Sequence, residues 1–259
     1  MGRLALAQPR SVRDVFTVPW RHLAVITVGS CAVLALLYLA ARETPVFAVR
    51  SIEVTGGSKS VRLDVEETAR LFRGESLAAL DGGALVEELE ALPSVRSATY
   101  DRAFPSTLRI FVEPERPIAV VRKGTESWVV SERGRVISRA GGGDGLPRFD
   151  LQASGVQPGR FLSDPQSKAI LAALALLPER FPARIETARF DQSRLVLALR
   201  TRWGAPELRL GEPVDLGVKL EAAALVLRSL SAEERASAGY LDVSVPERTV
   251  LGTDSQVSG

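Results

Sequence analysis

Hydrophobic and polar positions follow three successive regimes along this chain. The first is a run from Leu23 to Ala41, LAVITVGSCAVLALLYLAA, of 19 residues without a charge. As a helix rising about 1.5 Å per residue it would reach roughly 28 Å, close to the ~30 Å hydrocarbon core of a bilayer. The second regime, residues 47–121, predicts strand, helix, helix, strand, strand. Phe47 to Val54 reads as the opening strand, with a slip of the alternation at Arg50-Ser51 that predicts a bulge, and Gly56-Gly57 ends it. Asp64 with Glu67 three residues on has the spacing of a capping box, and Val65, Ala69 and Phe72 then share a helical face as far as Gly74. A second helix starts near Asp81, shows Leu85, Leu89 and Leu92, and stops at Pro93. Val95–Ala103 and Thr107–Glu113 read as strands about a Phe104-Pro105-Ser106 turn, with Leu108, Ile110 and Val112 on one face.

The third regime is richer in strands. Trp128–Val130 and Val136-Ile137 flank a hairpin signal at Glu132-Arg133-Gly134. Asp164-Pro165 opens a helix with Ile170, Leu174 and Leu177 as its apolar stripe. Arg194–Arg200 alternates through Leu195, Leu197 and Leu199, and Trp203-Gly204 turns into Glu207–Leu210. A helix spans Leu216–Ser229, Tyr240–Val245 is a strand that Arg248–Leu251 could continue, and Thr253–Gly259 reads as a polar tail. Two helices on a small sheet followed by a strand-rich region give an α+β class.

Charge orients the first regime. Arg3, Arg10, Arg13 and Arg21 precede the uncharged run against Asp14 alone, while Arg42 and Glu43 cancel after it. The positive-inside rule then puts residues 1–22 in the cytoplasm, the span at 23–41, and the following 218 residues outside. Beyond the span, residues 42–259 carry 29 basic against 30 acidic side chains, interspersed rather than gathered, so the basic pI of about 8.9 is no signal for nucleic acid. A cleaved signal peptide lacks a small residue at Leu39. Processing or lipidation at Cys31 would leave apolar residues stranded on the mature terminus.

Rare residues narrow the chemistry. The one cysteine, Cys31, and the one histidine, His22, both lie in the first 31 residues. Ser-His-Asp and Cys-His catalysis, Cys/His zinc sites and disulfides are thereby excluded from everything that follows. No Ser-x-x-Lys spacing exists among the four lysines, and Lys219 reads as a helix-surface residue. Gly141–Gly145 lacks the spacing and the following helix of a phosphate loop. The acids sit in helix caps (Asp64, Asp164) or on polar faces (Glu87, Glu88, Glu90), and no catalytic residue, cofactor or metal site is predicted. A membrane-anchored wall-binding module or a carboxylate-dependent wall hydrolase remains the alternative function, since two suitably spaced acids suffice for glycoside hydrolysis.

Specific stretches resemble a known family. Phe47-Ala48-Val49 with Ile52-Glu53-Val54-Thr55-Gly56, then Leu92-Pro93-Ser94-Val95-Arg96-Ser97-Ala98 and Arg102-Ala103-Phe104-Pro105-Ser106-Thr107-Leu108-Arg109-Ile110, are similar to the opening and signature strands of the FtsQ/DivIB bacterial division proteins. Pro117-Ile118-Ala119, Gly134-Arg135-Val136, Leu210-Gly211, Lys219-Leu220 and Leu241-Asp242-Val243-Ser244-Val245-Pro246 extend the resemblance to about Val250, in the form seen in high-GC Gram-positive members. It implies a cytoplasmic tail, one transmembrane helix, a POTRA module at 47–121, a β-rich domain at 122–252 with an open antiparallel sheet, and a tail at 253–259. Pro114-Glu115 departs from the Glu-Arg of many relatives, and Ser244 stands where Arg-rich members carry arginine.

The implied role is a non-enzymatic scaffold of the divisome at the septum. It would bind an FtsB/DivIC-type partner associated with an FtsL-type protein, and through them the FtsW/FtsI septal wall synthase. An exposed sheet edge can receive a partner strand. The resemblance assigns that role to the last strand, Leu241, Asp242, Val243, Ser244 and Val245.

Overall fold

The computed structural model describes residues 20–43, 45–141, 145–151 and 156–253. The expected cytoplasmic tail lies almost wholly outside the described residues, as do the centre of the glycine loop at 142–144 and the end of the polar tail at 254–259. Helix α1 (Trp20–Glu43) covers the uncharged run. Val25, Ile26, Val28, Val33, Leu34 and Leu36 along it are exposed, so the rest of the protein does not cover them. Among the described residues no helix is long and apolar enough to cross a membrane. The side chains described in α1, residues 24–36, account for only part of the 19-residue run.

A first module follows: β1 (Ser51–Thr55), α2 (Lys59–Ala69), α3 (Gly82–Ala91), β2 (Val95–Ala103) and β3 (Thr107–Pro114). The sheet order is β1-β3-β2, with β1 parallel and β2 antiparallel to the central β3. Leu108, Ile110 and Val112 of β3 are buried with Val65 and Ala69 of α2 and Leu85 and Leu89 of α3, while Glu53, Arg109 and Phe111 on the other sheet face are exposed. Asp81 caps α3 by accepting from the backbone N–H of Gly83 and Ala84.

Two local expectations for this module are corrected. Helix α2 starts five residues before Asp64, because Ser58 accepts from Val61 N–H and the earlier start adds Val61 to the Val65–Ala69 buried stripe. The opening strand begins only after the predicted slip: Arg50 and Ser51 both donate their N–H to the carbonyl of Ser106, the doubled donation expected of a bulge. Gly56 ends β1 at φ +101°, and a Cβ there would stand 2.1 Å from the carbonyl oxygen of Val112. Gly56→Ala should therefore cost about 1–3 kcal/mol in backbone strain alone. It should lower the melting temperature of the module by circular dichroism; an unchanged transition would contradict the close approach.

The second domain is a nine-stranded sheet in the order β12-β11-β10-β9-β8-β7-β4-β5-β6. Its strands are β4 (Pro117–Lys123), β5 (Glu126–Ser131), β6 (Val136–Arg139), β7 (Arg148–Asp150), β8 (Arg184–Asp191), β9 (Arg194–Arg200), β10 (Glu207–Gly211), β11 (Tyr240–Asp242) and β12 (Val250–Gly252). Helices α4 (Pro165–Ala175) and α5 (Leu216–Ser229) contribute Ile170, Leu174, Leu220 and Leu227 to a core shared with Leu195, Leu197, Leu199, Leu208 and Leu210; a short α6 (Ala232–Ser237) follows α5. Residues 117–121, expected with the first module, instead run as β4 in this sheet.

The sheet is mixed, not antiparallel as expected. β4 and β7, β7 and β8, and β10 and β11 pair in parallel. Between β10 and β11 the reason is the intervening α5 and α6: a helical crossover returns the chain to the same end of the sheet, so the next strand must run the same way.

Candidate functional site

A strand-receiving site needs an uncovered edge, so the two ends of the large sheet decide where one can be. At the β6 end, Val136 N–H donates to Arg160 C=O, Gly159 N–H to Val136 C=O, and Leu162 N–H to Gly134 C=O. The segment 159–162 thus pairs with residues 134–136 and occupies the start of the β6 edge. At the other end the outermost strand is β12. In the first module, the N–H of Ala98 on the outer strand β2 donates to the Glu90 carboxylate, which occupies part of that edge.

The expected segment, Leu241 to Val245, lies beside this open end but one strand inward. Leu241 pairs with Leu208 on β10 and with Leu251 on β12; Asp242 pairs with Arg209 and with Val250. Leu241 and Val243 are in the core, Asp242 is half-buried, and Ser244 and Val245 are exposed. The strand is shorter than the alternation predicts because the Asp242 carboxylate accepts from Ser244 N–H at 2.9 Å. That side-chain bond closes an Asx-type turn. Residues 250–252 therefore return antiparallel as β12 instead of continuing β11, and among the described residues the outer edge belongs to β12.

Local chemistry holds this end in place. Gly211 ends β10 at φ +66°, and a Cβ there would lie 2.7 Å from Ser244 Cβ, so the glycine lets the two segments touch. Lys219 is buried, not on the helix surface as expected, and its Nζ donates to Glu212 C=O at 2.8 Å. This bond ties α5 to the end of β10. The Arg209 guanidinium sits 3.8 Å from the Tyr240 ring centroid. Beside the turn runs an open groove of about 1250 Å³, in which exposed Val214, Val218 and Val245 and the half-buried Pro246 form an apolar rim against charged walls.

A second cluster, which the sequence reading did not single out, joins the two folded units. Arg135, in the hairpin between β5 and β6, donates to Val95 C=O at 2.7 Å, Glu90 C=O at 2.8 Å, Ala91 C=O at 3.2 Å and Gly159 C=O at 3.3 Å. Glu90 and Ala91 are the last residues of α3, whose terminal carbonyls lack helical partners. Glu115, also buried, pairs with Arg133 and lies 3.9 Å from Arg135. The bond to Glu115 raises the pKa of the Arg133 guanidinium. Glu234 is held below the usual carboxylate range by hydrogen bonds from Ser231 at the cap of α6. Both shifts thus come from structural bonds, at a domain junction and a helix cap. Among the described residues no group of three metal-ligating side chains converges.

Residues 47–115 match the family described as POTRA domain, FtsQ-type. The chain is 32% identical over 229 residues to the cell division protein FtsQ of Anaeromyxobacter sp. (strain K), covering 85% of this chain and 75% of that protein. It is 27% identical over 221 residues to the FtsQ of Myxococcus fulvus, covering 78% of this chain and 75% of that protein. To the FtsQ of Corynebacterium glutamicum it is 30% identical over 118 residues, covering 45% of this chain and 53% of that protein.

Proposed function

The chain belongs to the FtsQ/DivIB family of bacterial cell division proteins, and on that premise we propose that it is a membrane-anchored, non-enzymatic scaffold of the divisome. In this reading α1 is a retained transmembrane helix with its N-terminus in the cytoplasm, and both folded units stand outside the membrane at the division septum. The arginine excess before Leu23 supports that orientation. The scaffold binds an FtsB/DivIC-type partner, and through it an FtsL-type protein and the FtsW/FtsI synthase.

The single observation that carries the binding mode is the asymmetry of the large sheet: residues 159–162 occupy the start of the β6 edge, while β12 stands outermost at the other end. A partner strand adds along β12, with the turn at Asp242–Val245 and the apolar rim of the groove receiving its side chains. Backbone pairing supplies most of the affinity in such an arrangement, and alternate side-chain pockets supply the specificity.

Photo-crosslinking residues introduced in native membranes test this. One at Val250 should capture the FtsB/DivIC-type protein, whereas one at the exposed Ser138 on β6 should not; the reverse pattern would move the interface to the other end of the sheet. Val245→Asp places a charge on an apolar site that is 50% exposed. It should weaken partner capture at an unchanged melting temperature, and normal capture would remove Val245 from the contact.

A further inference from the structure

We propose that the end of the first module nearest α1 rests on the bilayer surface and binds the phosphate headgroups of anionic phospholipid. The proposal depends on reading α1 as a membrane span. Chain connectivity brings this end to the membrane. Glu43 closes α1 and Val46 follows three residues later, a separation of at most about 11 Å for a fully extended chain. The headgroup layer itself is roughly 5–8 Å deep on each side of the hydrocarbon core. Whatever shares an end with Val46 is therefore held beside lipid.

Two other parts of the module converge on the 46–49 segment there. The turn between β2 and β3 arrives with Phe104, whose ring meets that of Phe47 edge-on at a centroid distance of 5.5 Å. The segment that follows α2 arrives as well, because Gly74 N–H donates to Val49 C=O and Leu77 N–H to Phe47 C=O. The apolar side chains of this end point outward: Val46 is 57%, Leu71 73% and Phe104 57% exposed. Leucine and phenylalanine gain little from water at such exposure, but would bury apolar area in an interface.

Charge selects the kind of surface. Arg70 and Arg73 flank Leu71, both exposed, and among the described residues neither forms an ion pair. Glu75 follows them in the chain, and Glu66 and Glu67 lie about one helical turn farther back in α2. Apolar tips bracketed by arginines match the boundary between acyl chains and phosphates. The exposed leucine of α2, Leu63, lies near the middle of that helix, about two turns before Leu71, and belongs to no such grouping.

The test uses the full chain with Cys31→Ser, reconstituted into vesicles of phosphatidylglycerol and phosphatidylcholine in equal parts. Single cysteines at Leu71, Phe104, Leu63 and Val33 carry an environment-sensitive fluorophore, and lipids spin-labelled near the headgroup act as quenchers. Quenching at Leu71 and Phe104 should exceed that at Leu63 several-fold. Each arginine near an anionic surface is worth roughly fivefold in occupancy (about 1 kcal/mol), so Arg70→Glu with Arg73→Glu should lower the docked-to-free ratio by at least about 30-fold. Equal quenching in pure phosphatidylcholine, or Leu71 and Phe104 as accessible to water as Leu63, overturns the proposal. Val33 reports on the span separately. If Val33 is buried in lipid while Leu71 stays in water, only the surface contact fails; if Val33 is not in lipid, the anchor and the proposal fall together.

Discussion

Arg135→Ala should uncouple the two folded units and destabilise the chain by about 3–5 kcal/mol, the range for removing one partner from a buried charged cluster. Arg135 is 8% exposed, and its guanidinium holds four carbonyl groups, three of them in the first module. Its loss leaves the terminal carbonyls of α3 and Val95 C=O without that donor, while the half-exposed Arg133 alone would balance the buried Glu115. Against a typical total of about 5–15 kcal/mol this is a large fraction. Calorimetry of the full chain in detergent should show one transition in the parent splitting into two, the first module melting earlier. Arg135→Lys should rescue little, since a single ammonium cannot serve carbonyls spread around a planar fork. A variant that keeps a single transition at the parent temperature would mean that the junction is held by something else.

Leu108→Asp should unfold the first module outright. Leu108 has no exposed surface and sits on the central strand β3, between β1 and β2 and beneath both helices. Truncating a buried leucine costs about 2–5 kcal/mol, and an unpaired carboxylate in the same place adds several more. Hydrogen exchange should show β1, β2, β3, α2 and α3 losing protection together. The nine-stranded sheet should retain much of its own, because its core draws on different residues. Protection that survives in the module would mean that the outward face of β3, that of Arg109 and Phe111, had been mistaken for the inward one.

Elements whose apolar spacing is regular were legible in the sequence. The 194–200 strand with Leu195, Leu197 and Leu199, the 216–229 helix with Leu220 and Leu227, and the Asp81 and Asp164 caps all form where the pattern places them. The missed elements lack such spacing for identifiable reasons. In β8 the register shifts between Ile185 and Thr187, so its buried residues, Ile185 and Ala188, fall three apart and resemble neither period. β7 has three residues, too few to alternate. Helix α6 buries no side chain and is held by the reciprocal cap of Ser231 and Glu234.

The candidate site divides along the same line. By itself the sequence determined the family resemblance, the uncharged run at 23–41, the absence of cysteine and histidine beyond residue 31, and the apolar inward faces of the regular elements. These depend on residue identity or on neighbours within one turn or one strand. Only the tertiary structure decided which strand stands outermost, that the large sheet is mixed, that Lys219 is buried, and that Arg135 reaches across to α3. Pairing order and side-chain reach bring together residues forty or more positions apart, such as Arg135 and Val95. A local pattern of polar and apolar residues says which face of an element is buried, but not which distant backbone lies against it.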